Sequence, residues 1–155
     1  MRQHLNIHQT YDDPCQRLFN AIETNSYIRP HRHSLDPKVE DLIAIRGLFA
    51  LVQFDAGGRI VDVSKFGSEK FAVDEAIATG VQLAPGTWHT VLALTDGAVL
   101  LELKQGPFQP DAAKEFAPWA PDEGGPEAAV YLESIRAVIH DWNKEGVDAE
   151  QAMSV

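Results

Sequence analysis

From about Leu5 to Lys104 the chain alternates short apolar runs with turn residues, the pattern of a β-sandwich or barrel. Leu42-Ile43-Ala44-Ile45 and Leu48-Phe49-Ala50-Leu51-Val52-Gln53-Phe54 flank Gly47 and read as strands. Asp55-Ala56-Gly57-Gly58-Arg59 then reverses the chain into Ile60-Val61-Asp62-Val63, a hairpin with a glycine-rich loop. Thr87 to Thr95 and Ala98 to Lys104 meet at Asp96-Gly97, the strongest short hairpin signal in the chain. Gln16 to Glu23 satisfies helical and strand templates alike through Leu18, Phe19 and Ile22, and is assigned to strand. Beyond Gly106 the prolines at 107, 110, 118 and 121 and the Gly124-Gly125-Pro126 cluster predict a loop lying over the barrel surface rather than sheet. Tyr131, Leu132, Ile135, Val138, Ile139 and Trp142 then fall at helical spacing. Pro126 stands near the start of that run and Gly146 just past its end, which predicts one amphipathic helix. Its apolar stripe serves either to pack on the barrel or to contact a second copy. The organisation is therefore one domain: a barrel over residues 1–125, a helix over 126–146, and a frayed tail over 147–155.

Composition supports a single domain. At 155 residues and 45% hydrophobic, the chain can bury a core but is too short for two ordinary domains. A net charge of -10 with no basic run opposes a nucleic-acid or anionic-membrane role. The lone Cys15 has no partner for an internal disulfide, and residues 1–20 lack the apolar core of a signal peptide. No stretch approaches the length of a membrane span. These features point to the cytoplasm, and Cys15 reads as a partly buried small side chain rather than a nucleophile.

The chemistry concentrates in Tyr27-Ile28-Arg29-Pro30-His31-Arg32-His33 and in Pro85-Gly86-Thr87-Trp88-His89. Strand side chains alternate between faces, so His31 and His33 share a face and can hold one metal ion between them. Glu40, seven residues before Gly47, and His89, three after Gly86, are the candidates that complete a three-histidine, one-carboxylate site. Counting forward from His33 reaches Lys38 instead, but a protonated lysine offers donors alone and cannot ligate a cation. Arg29 shares the face of the two histidines and suits a carboxylate or phosphate. Asn6 and His8 share a face of a first strand and are candidates for the cavity wall, with Lys38 near the mouth. Trp88 reads as core beneath the sheet, and Phe116 to Pro121 as a packed segment.

His31-Arg32-His33 with Glu40 and Gly47 resembles the first metal-binding motif of the cupin superfamily, and Pro85-Gly86-Thr87-Trp88-His89 resembles the second. The loop from His33 to Glu40 is longer than usual, and Ala93 stands where asparagine is common. Asp13-Pro14, Gln16-Arg17-Leu18-Phe19-Asn20-Ala21, Arg29-Pro30-His31-Arg32-His33, Phe54-Asp55, Pro85-Gly86-Thr87-Trp88-His89, Lys104-Gln105-Gly106-Pro107-Phe108 and Phe116-Ala117-Pro118-Trp119-Ala120-Pro121 together are similar to the WbuC family of cupin-fold metalloproteins. The resemblance implies an all-β cupin-type double-stranded β-helix with one C-terminal helix. It also implies a small bacterial cytoplasmic protein, in some cases encoded among surface-polysaccharide biosynthesis genes, with no assigned reaction.

Three neutral imidazoles and a carboxylate would leave a divalent ion with a local charge of about +1 and, if octahedral, two open positions. Iron, manganese, nickel, cobalt, copper and zinc all accept such donors. The functional expectation is an oxygenase, or an isomerase or lyase in which Glu40 or bound hydroxide is the base, acting on a small anionic or sugar-derived molecule. The alternatives are a non-catalytic module that binds a metabolite or metal, and a structural jelly roll. A homodimer is the expected assembly, with neither nucleic acid nor membrane as partner.

Overall fold

The computed structural model describes residues 1–71 and 77–152, with backbone alone at 69 and beyond 142. One five-stranded antiparallel sheet contains, in spatial order, β1 (Arg2–Asn6), β2 (Cys15–Ile22), β9 (Ala98–Gln105), β4 (Glu40–Arg46) and β7 (Gly80–Leu83). The second contains β10 (Glu115–Phe116), β3 (His31–Arg32), β8 (Trp88–Ala93), β5 (Leu48–Phe54) and β6 (Ile60–Gly67). A helix, α1 (Ala128–Ala152), follows. The two sheets face one another as the walls of a jelly-roll barrel.

Side-chain alternation decides what each face meets. Along β4, Glu40, Leu42 and Ala44 point inward and are buried, whereas Asp41, Ile43 and Ile45 point out. β5 is apolar nearly throughout because both of its faces are covered. Phe49 and Leu51 join Leu42, Phe66, Val91 and Leu100 inside the barrel. Ala50, Val52 and Phe54 meet Trp88, Trp119, Leu132, Ile135 and Ile139 on the outer side. The helical stripe is thus spent on the chain's own barrel, and each fully buried leucine or isoleucine contributes ~2 kcal/mol.

Three expectations are corrected. Asp96-Gly97 does not close a hairpin: β8 pairs with β3 and β5, while β9 pairs with β2 and β4, so the turn carries the chain from one sheet to the other. A turn dipeptide specifies reversal and leaves the choice of partner to burial. Gly47 makes the matching crossing between β4 and β5 with φ +90, and a Cβ there would lie 2.7 Å from Thr95 Oγ1 and 2.8 Å from Ala98 Cβ. The proline-rich stretch is not wholly loop, since Glu115 and Phe116 pair with Arg32 and His31. Finally, α1 runs through Gly146 to Ala152 where a tail was expected over 147–155. A single helical glycine costs ~1 kcal/mol, too little to end a helix by itself. The last part of that tail, residues 153–155, lies outside the described residues. The expected strand over Gln16 to Glu23 appears as β2, and the glycine-rich turn joins β5 to β6.

Candidate metal centre

His31 and His89 sit directly opposite each other on β3 and β8. β3 ends at Arg32, so His33 lies just beyond the strand and is oriented by its own hydrogen bond rather than by sheet pairing. Gly86, with φ +74, turns the chain into β8 so that Thr87 O meets His89 Nδ1 at 2.9 Å. Trp88, the next residue on the opposite face, packs under the helix, as expected of core. The ligand-capable nitrogens of His31, His33 and His89 lie within 4.8 Å of one another, and all three residues are buried. A small closing movement brings such a set to metal–nitrogen bonds of ~2.1 Å.

The hydrogen bonds fix which nitrogen faces the centre. His31 Nδ1 lies 2.9 Å from Arg29 O, His89 Nδ1 2.9 Å from Thr87 O, and His33 Nδ1 bonds Ala113 O. A carbonyl oxygen only accepts, so each Nδ1 carries the proton and a neutral ring presents a bare Nε2 inward. Burial, reinforced by the Lys114 charge, holds the His31 imidazole well below its ordinary value. Burial likewise lowers His89 to about 4, against the opposing pull of Glu40. These residues fit a divalent cation in tautomer and charge.

Glu40 reaches two of the three histidines: Oε2 lies 3.2 Å from His33 Nε2 and 3.7 Å from His89 Nε2. Burial opposes its ionisation, but the hydrogen bond with Glu102 and the nearby Lys104 ammonium hold the carboxyl well below its ordinary range. Lys104 Nζ stands 3.1 Å from His33 Nε2 and 3.3 Å from Glu40 Oε1. It is paired with Glu40 across β9 and β4, and also approaches Glu102 Oε1 at 3.9 Å. Burial and the Glu40 charge push the Glu102 carboxyl up.

The centre opens into a cavity of about 370 Å³. Arg2, His4 and Asn6 line it as alternate residues of β1, and His8, just beyond the strand with its Nδ1 3.1 Å from Arg17 N, lines it too. Arg29 and Lys38 lie elsewhere. Arg29 precedes β3 in irregular chain, so strand alternation does not apply, and its guanidinium is tied to Asp122 and to Ala117 O at 2.9 Å. Lys38 falls before β4 begins, with its ammonium 2.7 Å from Asp36. Lys104, Lys114 and Glu102 were not singled out from sequence, yet they line the cavity beside Leu18, Ile28 and Leu42. Lys114 lines the cavity and is exposed, and the protein packed around its ammonium lowers it below the ordinary lysine value. Within Phe116 to Pro121, Ala117 and Ala120 are buried and Trp119 lies against Phe54 at 5.0 Å, while Phe116 is 48% exposed.

Comparisons with known proteins agree on the fold. A family model described as a domain of unknown function, DUF6016, matches residues 1–66. No curated protein matches the chain in sequence. Protein SO0799 from Shewanella oneidensis superposes with a TM-score of 0.57 at 11% identity, over 73% of this chain and 72% of that one. An oxalate decarboxylase from Lactobacillus farciminis, solved as a formate complex, gives 0.51 at 15% identity over 74% of this chain. Bacillus subtilis oxalate decarboxylase, a protein with Mn(II) centres, gives 0.52 at 14% identity over 74% of this chain. The chain spans 30% and 27% of the length of those two decarboxylases. The fold is the all-β cupin barrel, and the buried histidines form a possible metal site within it. Among the described residues no helix is long and apolar enough to cross a membrane.

Proposed function

We propose that the chain is a metal-binding cupin of the WbuC type that acts as an enzyme on a small anionic or sugar-derived metabolite. The observation that carries this reading is the set of three buried imidazoles, each with Nδ1 against a backbone carbonyl and Nε2 turned to a common centre. His31, His33 and His89 would hold the ion and Glu40 would complete the donor set. The ion would act as a Lewis acid or a redox centre beside the substrate. Manganese is one candidate because a structural neighbour has Mn(II) centres; iron, nickel, cobalt, copper and zinc share the same donor preference.

The protein's own groups supply the rest. Arg2, Lys104 and Lys114 put positive charge on the cavity wall, suited to a carboxylate or phosphate. Leu18, Ile28, Leu42 and Val91 give an apolar floor that excludes water from the reacting face. The resemblance to a family sometimes encoded with polysaccharide biosynthesis favours sugar acids and sugar phosphates among such anions, and a bacterial cytoplasmic setting.

The test is to incubate metal-loaded protein with a panel of sugar acids, sugar phosphates and small hydroxy acids, following substrate loss, with His89→Ala as control. Conversion that the variant abolishes supports the enzyme. A tight ligand recovered chemically unchanged overturns catalysis and leaves a binding module.

A further inference from the structure

The sheet formed by β1, β2, β9, β4 and β7 has two unlike faces. Its inner face lines the barrel, while among the described residues the apolar stripe of α1 and Ala117, Trp119 and Ala120 pack against the other sheet. Across the outer face Leu5 lies opposite Phe19, Phe19 opposite Leu101, and Leu101 opposite Ile43, one apolar row spanning four strands in register. Ala21 and Val99 form the row on one side, and Ile45 adds to it. Leu5 is 67% exposed and Ile45 50%, while Phe19, Ile43, Val99, Leu101 and Leu103 are partly buried. None of these joins either core cluster among the described residues. Leu5 and Ile45 leave apolar surface open at two corners of this face.

We propose that this face is the interface of a homodimer, two copies packing sheet against sheet about a two-fold axis along β9. The charge pattern selects that axis. Arg17 and Asp41 lie on either side of Leu103 in a single row, Arg17 on β2 and Asp41 on β4. A two-fold along β9 lays β2 of each copy over β4 of the other. Arg17 then faces Asp41 of the partner subunit, twice by symmetry, and Phe19 faces Ile43 of the partner subunit, with Leu101 meeting its own copy. A face five strands wide and about seven residues long covers roughly 24 Å by 24 Å, so pairing it buries on the order of 1,200 Å², within the range of specific interfaces. The proposal is independent of the metal and of the enzymatic reading.

Sedimentation of the untagged protein over a concentration series, read beside circular dichroism, is the experiment. A dimer is expected, and Leu101→Glu, which sets two like charges together at the axis, raises its Kd at least ~100-fold. Arg17→Asp and Asp41→Arg each weaken association ~10-fold, and the double variant restores it. The charge exchange keeps the test intact if Leu101→Glu fails to fold. A wild-type monomer at tens of micromolar, a dimer indifferent to Leu101→Glu, or single charge variants without effect would overturn the proposal.

Discussion

Lys104 occupies space a metal ion needs, and replacing it with methionine should tighten metal binding. Its ammonium lies 3.1 Å from His33 Nε2 and 3.3 Å from Glu40 Oε1, so it competes for the same lone pairs as a cation. An ion on those ligands would stand ~4 Å from the ammonium if the lysine stayed in place. A +2 and a +1 charge at that distance repel by about 2 kcal/mol with full water screening and about 8 kcal/mol at an effective dielectric of 20. The lysine escapes part of this by swinging toward Glu102 or solvent, so the lower figure sets the scale. Methionine keeps the length and apolar stem while removing the charge. Lys104→Met should therefore bind a divalent ion roughly 10- to 100-fold more tightly, equivalent to about 1.4–2.8 kcal/mol. Competition of the metal-free protein with a chromophoric chelator, using Mn²⁺ and Zn²⁺ separately, measures this. Unchanged or weaker affinity for both ions would refute the reasoning and place Lys104 among groups that support the ion.

Gly47→Ala should destabilise the chain by about 3 kcal/mol, from ~1–2 kcal/mol for left-handed backbone and ~1–3 kcal/mol for crowding against Thr95 and Ala98. The urea midpoint should fall with an unchanged slope, and a loss below ~0.5 kcal/mol would contradict the crossing assigned to Gly47. The metal-free protein should be most stable near pH 6.5. Below that value the unfolded chain protonates His31 and His89 while the folded chain holds them neutral, down to about 4 for His89, so acid destabilises. Glu102 works oppositely: its carboxyl is raised above 4.5, so the folded state keeps a proton the unfolded chain has lost, and rising pH costs stability. Two histidines outweigh one carboxyl on the acid side. A thermal midpoint in chelator that climbs steadily from pH 7 to pH 5 would show that the imidazoles are not held neutral.

The barrel was readable because period-two burial is imprinted on residues such as Leu42, Ala44, Phe49 and Leu51, and because Gly47 and Gly86 mark sharp turns. Sheet membership was not readable, since Asp96-Gly97 signals reversal equally well for a hairpin and for a crossing between sheets. The histidine pair and His89 stood out through spacing. Arg29 and Lys38 misled because alternation was extended beyond the ends of β3 and β4, into chain where other partners set the side chains. Glu102 and Lys104 did carry a signal: two charges spaced by two on the inward phase of Leu100-Leu101-Glu102-Leu103-Lys104, in an otherwise apolar strand. Lys114 carried none, because its place depends on how the proline-rich segment folds back over the mouth.

The most direct test of the metal centre is elemental analysis of untagged protein purified without chelator, beside a His31→Ala/His89→Ala variant. The geometry predicts close to one divalent ion per chain, lost in the variant, and a thermal midpoint that rises when the ion is returned to chelated wild-type protein. Metal-free wild-type protein whose stability is indifferent to every added ion would contradict it, and the enzymatic reading would fall with it.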